Sequence, residues 1–479
     1  MTSAYDGQAE RETGVAGRNP VSKVAPLLIL LLLILLGYWL RVHNLDAFSF
    51  WTDEGLTPER SGYPIAQILR NDILIQGVVT TDTHPPLYYL ILHLTRQLFG
   101  LSDFAFRYPS VLFGVLLIPL LYQLGRRMGG RAVGLVVALL AAVNPLQVYY
   151  SQEARMYSLL VLLVTGMSYV LWRAIQDTRY EIRGGSRHPT SSGARSSLVS
   201  RISYLVFPYL LLAALAVYTH YTAVFIVAAQ ALLWAWILWR AGMRRLILGA
   251  AALGVLVAIP LIPFTIPRLL AGAEANYYRV APLTMLLDVA RFFNLGLTVD
   301  HAGPLAIALN VLALGLALLG LWASARYEIR DTKYEFRGRA PHSYLVSRIS
   351  YLIPPYFLLS WLLAVVFGLM LGSLLFKPMY QGVRHIMAGS PAYLLLIAFG
   401  LAALWRITNY DSRRSTNLRI TNEEKKNPLH SYLVSRISYL LLSLLLIGAA
   451  VALVNLYTDP AYVKDDFRAI VRFIETRAG

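Results

Sequence analysis

The chain of 479 residues contains no cysteine, which excludes disulfide frameworks, thiolate metal sites and cysteine nucleophiles. Charged residues are also scarce, at 14% of the chain, whereas soluble proteins carry about 25%. Apolar residues make up 57% of the chain, above the usual level of about 45–50%. The two departures together exclude a disordered chain and argue against a large soluble globule.

Several sequence motifs are missing as well. The chain has no GxxxxGK[ST] loop, so nothing indicates an ATP-driven pump, and it has no HExxH zinc motif. It lacks the paired, glycine-broken apolar segments that are typical of secondary transporters. None of its long apolar runs contains Lys, Arg, Asp or Glu, which argues against an ion pathway through the membrane.

Long apolar runs are what the chain has in abundance. The clearest is Val24–Leu40, close to the ~20 residues that cross a hydrocarbon core of ~30 Å. Because lipid offers the backbone no hydrogen-bond partners, such runs must be helical. We therefore predict an all-α polytopic membrane protein of about eleven transmembrane helices, with spans in residues 24–40, 108–125, 132–150, 157–172, 202–239 (two spans), 246–266, 303–323, 351–375, 386–405 and 437–457.

The stretch Leu87–Gly100 is apolar but gathers His93, Arg96 and Gln97 on one helical face. This amphipathic pattern predicts an interfacial helix in the first outer loop rather than a crossing. With that choice, 28 of the 43 Lys and Arg residues fall on one side of the membrane. The positive-inside rule makes that side cytoplasmic, so the N-terminus is predicted inside and the C-terminus outside.

The net charge of +17 could suggest a nucleic-acid partner. Because the excess lies in the predicted cytoplasmic loops, we interpret it as an orientation signal and predict no nucleic-acid binding. The domain organisation follows from the same topology. Residues 1–23 are predicted to form a cytoplasmic tail and 24–457 a transmembrane domain with the outer loop 42–107, while 458–479 form an outer tail that is similar to the start of a further soluble domain.

Polar motifs cluster in the predicted outer loops: FWTDEG at 50–55, THPPLYY at 83–89, FRYPS at 106–110 and YYSQEARMY at 149–157. Acidic residues beside the apolar phase are costly and are typically retained for function. Asp53 with Glu54, and Glu153 with Arg155, are therefore candidate site residues. Two structural alternatives stay open at this point, namely a solvated helix cap for the first pair and a local ion pair for the second.

The order of these motifs, followed by YTHY at 218–221 and the stretch Lys377–His385, resembles the membrane-embedded C-type glycosyltransferases. The resemblance covers about residues 24–400 and is greatest to the bacterial branch related to protein O-mannosyltransferases and the lipid A aminoarabinose transferase. It implies the C-type glycosyltransferase fold in a bacterial-type plasma membrane. It also implies transfer of one hexose or pentose from a polyprenyl-phosphate donor to a hydroxyl of a lipid, glycan or protein on the outer face.

The resemblance further implies roles for individual residues. Asp53 stands at the position of the family's base or acceptor-orienting acid, and Glu54 would support it by a hydrogen bond or a divalent ion. Glu153 stands where the family's second outer acid is an Asp, a departure from the ligand set of a shared metal site. A divalent metal at Glu54 and Glu153 is the only cofactor that the resemblance implies. Membrane lipids and a polyprenyl-phosphate-linked sugar are the implied partners.

Donor-phosphate binding is implied for Arg155, Lys377 and Arg384, since guanidinium groups recognise phosphate bidentately. His84 stands where the aminoarabinose transferase has a phosphate-binding lysine. A substrate groove is predicted from Tyr88, Tyr157, His220 and Tyr278, with interfacial anchoring as the alternative for the tyrosines.

Two other classes of protein fit the same spans. A lipid-linked saccharide transporter or flippase would have charged residues along a central cavity, whereas a transferase would cluster its acids at the outer mouth. A non-catalytic scaffold would keep Asp53 and Glu153 far apart. The separation of these two acids therefore discriminates between the hypotheses.

Overall fold

The computed structural model describes residues 21–75, 78–81, 84–184, 192–240, 243–262, 279–335, 353–417, 428–462, 471 and 474–477. Most of the predicted tails 1–23 and 458–479 lie outside these residues, and so does the predicted groove residue Tyr278. The described chain is helical apart from one short β-hairpin in the first outer loop.

The helices, in chain order, are α1 (Val21–Val42), α2 (Thr52–Ser61), α3 (Ile65–Arg70), α4 (Leu87–Phe99), α5 (Asp103–Val143), α6 (Pro145–Ser151), α7 (Tyr157–Gly184), α8 (Ser192–Thr219), α9 (Ala223–Arg240), α10 (Arg244–Ala258), α11 (Pro282–Leu295), α12 (Pro304–Glu335), α13 (Ile353–Leu375), α14 (Ser390–Asn417) and α15 (Pro428–Thr458). Strands β1 (Asp72–Ile75) and β2 (Val78–Thr81) pair antiparallel between α3 and α4. Short 3-10 turns lie at Ile259–Leu261, Val383–His385, Met387–Gly389 and Pro460–Tyr462.

These helices confirm the predicted all-α polytopic architecture. Every predicted apolar run overlaps a helix, and in the described part of the chain seven helices are long and apolar enough to cross a membrane, with α5 counted once. Two shorter apolar helices, Tyr204–Thr219 and Ala223–Trp239, correspond to the run that was predicted to contain two spans.

Helix α5 contains the second and third predicted spans, joined by a tight turn at Gly130. This residue has φ +85° and ψ −178°, a conformation that essentially only glycine adopts. The two halves then pack closely against each other, because a Cβ at Gly134 would come within 2.8 Å of the Tyr122 carbonyl oxygen. Likewise, a Cβ at Gly125 would come within 2.8 Å of Val137.

Helix α4 has the amphipathic character that its sequence predicts. With 13 residues it is shorter than the ~20 that a crossing requires. Tyr88 and Tyr89 on one face are buried in the protein, whereas Leu94 and Leu98 on another face are exposed. This distribution agrees with a helix that lies along the membrane surface.

The first outer loop begins at a fixed point in the fold. The guanidinium of Arg41, which is fully buried at the end of α1, donates hydrogen bonds of 2.9 Å to the carbonyl oxygens of Ala141 and Ala142 at the end of α5. Gln152 donates a 2.8 Å hydrogen bond to the carbonyl of His43. The end of α1 is therefore tied to the turn between α6 and α7.

Candidate active site

Asp53 lies in the first turn of α2, where the helix dipole favours a carboxylate. The amides of Glu54 and Gly55 both donate to the Trp51 carbonyl at 2.9 Å and so begin the helix. The Asp53 side chain is 31% exposed and forms an ion pair with Arg384. Asp53 thus presents a partly solvated carboxylate beside a guanidinium.

Glu54, the next residue, has a different environment and is fully buried. Arg107 binds it bidentately, with Nε to Oε1 at 3.1 Å and Nη2 to Oε2 at 2.7 Å. The amide of Ala154 donates to the same Oε1 at 2.6 Å. The structure therefore places Glu54 in a buried ion pair that joins α2 to α5 and to the turn before α7, and each carboxylate oxygen already accepts a hydrogen bond.

The turn between α6 and α7 carries the second predicted pair. Glu153 and Arg155 are 1% and 5% exposed. Arg155 Nη1 donates to the backbone carbonyl of Asp53 at 2.8 Å, and its Nη2 lies 3.3 Å from His84 Nε2. The two outer segments that contain the predicted acids are thus in direct contact, which argues against the arrangement expected of a scaffold.

His84 is held in place through its own backbone. Its carbonyl accepts hydrogen bonds from Arg60 Nη2 at 3.1 Å and from Asn71 Nδ2 at 3.0 Å. The Arg60 guanidinium also lies 3.7 Å from the centre of the Tyr89 ring. The Arg155 guanidinium can only donate, so in this contact His84 Nε2 is placed as the acceptor.

Three histidines from three separate turns form a row. The ring centres of His84 and His220 are 5.8 Å apart, and those of His220 and His385 are also 5.8 Å apart. Tyr157, at the start of α7, lies with its ring centre 5.9 Å from that of His220. The row therefore connects the segments that carry Arg155 and Arg384.

Burial keeps two of these histidines neutral. It lowers the pKa of His385 to about 3, with smaller contributions from Arg384 and His84. Burial also lowers the pKa of His220 well below its usual value, and His385 and His84 act in the same direction. The Thr222 amide donates to His220 Nδ1 at 3.3 Å, so the proton of the neutral ring is on Nε2.

Arg384 lies in a short 3-10 turn just before α14. Its Nη2 donates to Gln381 Oε1 at 2.6 Å, and its guanidinium carbon lies 5.9 Å from the centre of the Trp51 ring. Gly382 begins this turn with φ +84°. Lys377, predicted for the same role, is half-buried in the segment between α13 and the turn.

Tyr88, predicted to line a groove, is instead fully buried in the core. Its hydroxyl shares a 2.9 Å hydrogen bond with Ser110 Oγ, which also donates to the carbonyl of Arg155 at 3.1 Å. Burial raises the pKa of the Tyr88 hydroxyl. Tyr88 therefore supports the turn that carries Arg155 from the side of the protein core, through Ser110.

The donor atoms do not fit a divalent metal shared by Glu54 and Glu153. Across the described ranges, no group of three or more His, Asp or Glu side chains is placed to hold a metal ion. The two oxygens of Glu54 are already used by Arg107 and Ala154. No step of the chemistry below is therefore assigned to a metal.

Arg107 and His385 lie in the motifs FRYPS and Lys377–His385, but neither was predicted as a site residue. Arg107 pairs with Glu54, and His385 completes the histidine row. The three histidines share no sequence signal: His385 directly precedes the predicted span 386–405, His220 lies within the run 202–239, and His84 precedes the amphipathic stretch 87–100.

One family model matches part of the chain. Residues 83–183 match the family described as dolichyl-phosphate-mannose-protein mannosyltransferase. This region begins at the turn of His84 and includes α4, α5, α6 and nearly all of α7, and with them Arg107, Glu153 and Arg155. No curated protein matches the chain in sequence.

Solved structures match nearly the whole chain in fold. Apo ArnT from Cupriavidus metallidurans has 14% identity and a TM-score of 0.54, over 91% of this chain and 77% of that one. The archaeal oligosaccharyltransferase AglB from Archaeoglobus fulgidus, in complex with an inhibitory peptide and a dolichol-phosphate, has 12% identity and a TM-score of 0.53, over 90% of this chain and 56% of that one.

Fold and family match together define the class. The chain is an integral membrane protein with the fold of the membrane-embedded C-type glycosyltransferases, which confirms the resemblance noted in its motifs. The chain spans little more than half of the archaeal structure.

Proposed function

We propose that this chain is a glycosyltransferase that moves one hexose or pentose from a polyprenyl-phosphate-linked sugar to a hydroxyl acceptor at the outer membrane face. The observation that carries the proposal is the Asp53 carboxylate, partly exposed and adjacent to two arginines and a row of histidines. The similar archaeal structure contains a dolichol-phosphate, which has the chemistry of the proposed donor.

Asp53 is assigned the role of general base. Attack by a hydroxyl requires a carboxylate that takes the acceptor proton as the new bond forms. Asp53 is the partly exposed acid of its helix, whereas the neighbouring Glu54 is fully buried. Direct displacement at the sugar carbon then releases the polyprenyl phosphate and inverts the configuration at that carbon.

Cationic groups are required where the phosphate leaves. Arg384 and Arg155 both reach the neighbourhood of Asp53, and their guanidinium groups suit the oxygens of a phosphate. The imidazoles of His84 and His220 lie beside them, and Lys377 is assigned a supporting role on the same segment as Arg384. This set stabilises the leaving group as its negative charge grows.

The two glutamates support the site in different ways. Glu54 positions α2, and with it Asp53, through its ion pair with Arg107. Glu153 adjoins Ala154 and Arg155, and we assign it to the same outward face as a second acid. Tyr157, and the predicted Tyr278, are assigned to the groove for the donor or acceptor.

The orientation proposed from the charge distribution puts this face outside a bacterial-type plasma membrane, with the N-terminus in the cytoplasm and the C-terminus outside. In the described part of the chain the candidate acids gather at one mouth rather than along the spans. That placement favours transfer over transport.

The test uses purified protein in liposomes with radiolabelled polyprenyl-phosphate sugars and a mixture of lipid, glycan and peptide acceptors. We expect the wild type to transfer label, and Asp53→Asn to transfer less than about a hundredth as much, because the base is lost. Asp46→Asn, an exposed acid in the same loop, is the matched control and should retain activity. Label that crosses the bilayer without transfer would instead indicate a transporter.

A further inference from the structure

A further acid, Asp288, contacts the segment that carries Arg384 through Tyr380. Asp288 lies on α11, which belongs to the outer loop between α10 and α12. The hydroxyl of Tyr380 donates a short hydrogen bond to Asp288 Oδ2. Both side chains are buried, at 8% and 4% exposure. The pair therefore joins α11 to the segment between α13 and α14.

Tyr380 is the first residue of a stretch that ends at the site. Its ring meets the ring of His385 edge-on, with 6.4 Å between the ring centres. The amide of Gln381 donates to His385 Nδ1 at 3.0 Å, and the side chain of Gln381 accepts from Arg384. Arg384 in turn pairs with Asp53. One ring contact, two hydrogen bonds and the ion pair thus lead from Tyr380 to the candidate base.

The two segments that the Asp288–Tyr380 pair joins differ in secondary structure. Asn144 donates to the carbonyl of Phe293 on α11 at 2.9 Å, and both Met285 and Phe293 of this helix are buried in the core. The Tyr380–His385 stretch consists of an irregular turn with a positive-φ glycine, Gly382, and a single 3-10 turn. Helix α11 is thus a regular helix packed on the core, whereas the stretch that it contacts is a series of turns in which Val383, like the adjoining Ile386, is also buried.

A buried carboxylate is a costly way to join two segments. Burial raises the pKa of Asp288, against the opposing effects of the Tyr380 hydrogen bond, Arg291 and His301. An apolar pair would pack these surfaces without that desolvation penalty. A hydrogen bond, unlike apolar packing, fixes the direction and distance of the attached segment.

We propose that Asp288 is a positioning residue that acts through Tyr380 to hold the Tyr380–His385 stretch, and with it Arg384, in register with Asp53. The consequence for turnover rests on the proposed function, whereas the consequence for local order does not.

Four variants separate this role from general packing. Tyr380→Phe and Asp288→Ala each remove the hydrogen bond, whereas Asp288→Asn keeps an oxygen that can accept it. Asp300→Asn, an exposed acid in the same loop, is the control. Two measurements are made on full-length protein in detergent or liposomes: hydrogen–deuterium exchange of the amides of residues 381–386, and sugar transfer as kcat and KM.

We expect the first two variants to exchange residues 381–386 about tenfold faster and to lower kcat about tenfold, with little change in acceptor KM, because a hydrogen bond to a charged group is lost. Asp288→Asn should stay within about threefold of the wild type. The double variant Tyr380→Phe/Asp288→Ala should match Tyr380→Phe in both exchange rate and kcat, because the two single changes remove the same hydrogen bond.

Unchanged exchange in Tyr380→Phe would overturn the proposal, and so would faster exchange with unchanged kcat. An Asp288→Asn variant as impaired as Asp288→Ala would also count against it. If the wild type transferred no sugar, the proposed function would be wrong, while the exchange measurement would still decide whether Asp288 holds the stretch.

Discussion

Arg384 and Asp53 form an ion pair although 331 residues separate them in the chain. The pair lies at the protein surface, with 15% of the arginine and 31% of the aspartate side chain exposed. A phosphate group that bound Arg384 would compete with Asp53 for the guanidinium. Donor binding would then release the carboxylate that is to act as base, so the two substrates would be used in a fixed order.

The first prediction concerns Arg384 itself. Arg384→Met should lower kcat/KM by about a hundredfold or more, because a cation at the leaving phosphate is lost. Arg384→Lys should recover only part of this, since an ammonium lacks the bidentate geometry of a guanidinium. Steady-state transfer assays measure both. Arg279→Met removes an exposed arginine from another outer loop and should leave transfer unchanged; a loss as large as that of Arg384→Met would contradict a specific role.

The buried Glu54–Arg107 pair gives a prediction about stability. Glu54→Gln should destabilise the fold by about 3–5 kcal/mol, because it leaves the Arg107 guanidinium buried without its carboxylate. Thermal unfolding in detergent measures this as a lower Tm. Glu59→Gln, on the exposed side of the same helix, should change stability by less than about 0.5 kcal/mol. An equal change in Tm for the two variants would show that the Glu54–Arg107 pair contributes no more to stability than an exposed acid does.

The neutral histidines predict a pH dependence. The pKa of His385 is about 3 in the folded protein, whereas an unperturbed histidine has a pKa of about 6.5. The unfolded chain therefore binds more protons below about pH 6.5, so stability is lost as the pH falls toward 3. His385→Gln should lose less Tm between pH 7 and pH 5 than the wild type does.

His93→Gln is the comparison for this experiment, because His93 is a half-buried histidine on α4 away from the row. Its pH dependence should match that of the wild type. If His385→Gln also kept the full acid sensitivity, other groups would be responsible for it.

The turn at Gly130 gives a prediction about the backbone. Gly130→Ala should cost about 1–3 kcal/mol, because φ +85° with ψ −178° is strained for any residue with a Cβ. Gly249→Ala, inside α10 where no atom lies within 4 Å of an added Cβ, should instead be neutral or slightly stabilising. Thermal unfolding of both variants measures the difference, and a Gly130→Ala protein as stable as wild type would disprove the strain.

The all-α polytopic architecture could be predicted from local sequence properties. Uncharged apolar runs identify the helices because lipid allows no alternative, and the polar pattern of α4 is visible within 13 residues. Asp53 was predicted as a site residue because acids beside apolar segments are rare. These sequence patterns are local and can be recognised without knowing the tertiary contacts.

The contact partners of the site residues could not be predicted, because these contacts join residues that are far apart in the sequence. Asp53 and Glu54 are neighbours in one motif, yet packing exposes one and buries the other against Arg107, which is 53 residues away. Tyr88 reads like a groove residue in a motif but lies in the core. Asp288 and Tyr380 are separated by 92 residues, and Asp288 belongs to none of the quoted motifs, so only the folded chain identifies them as a pair.

The buried guanidinium of Arg41 constrains the order in which the chain can assemble in its membrane. Its carbonyl partners, Ala141 and Ala142, are made 100 residues later, at the end of the second half of α5. Until that segment has been inserted, the charge at the end of α1 must stay in water or in the headgroup layer. The Arg41 guanidinium can therefore take up its buried position only after the end of α5 is in place.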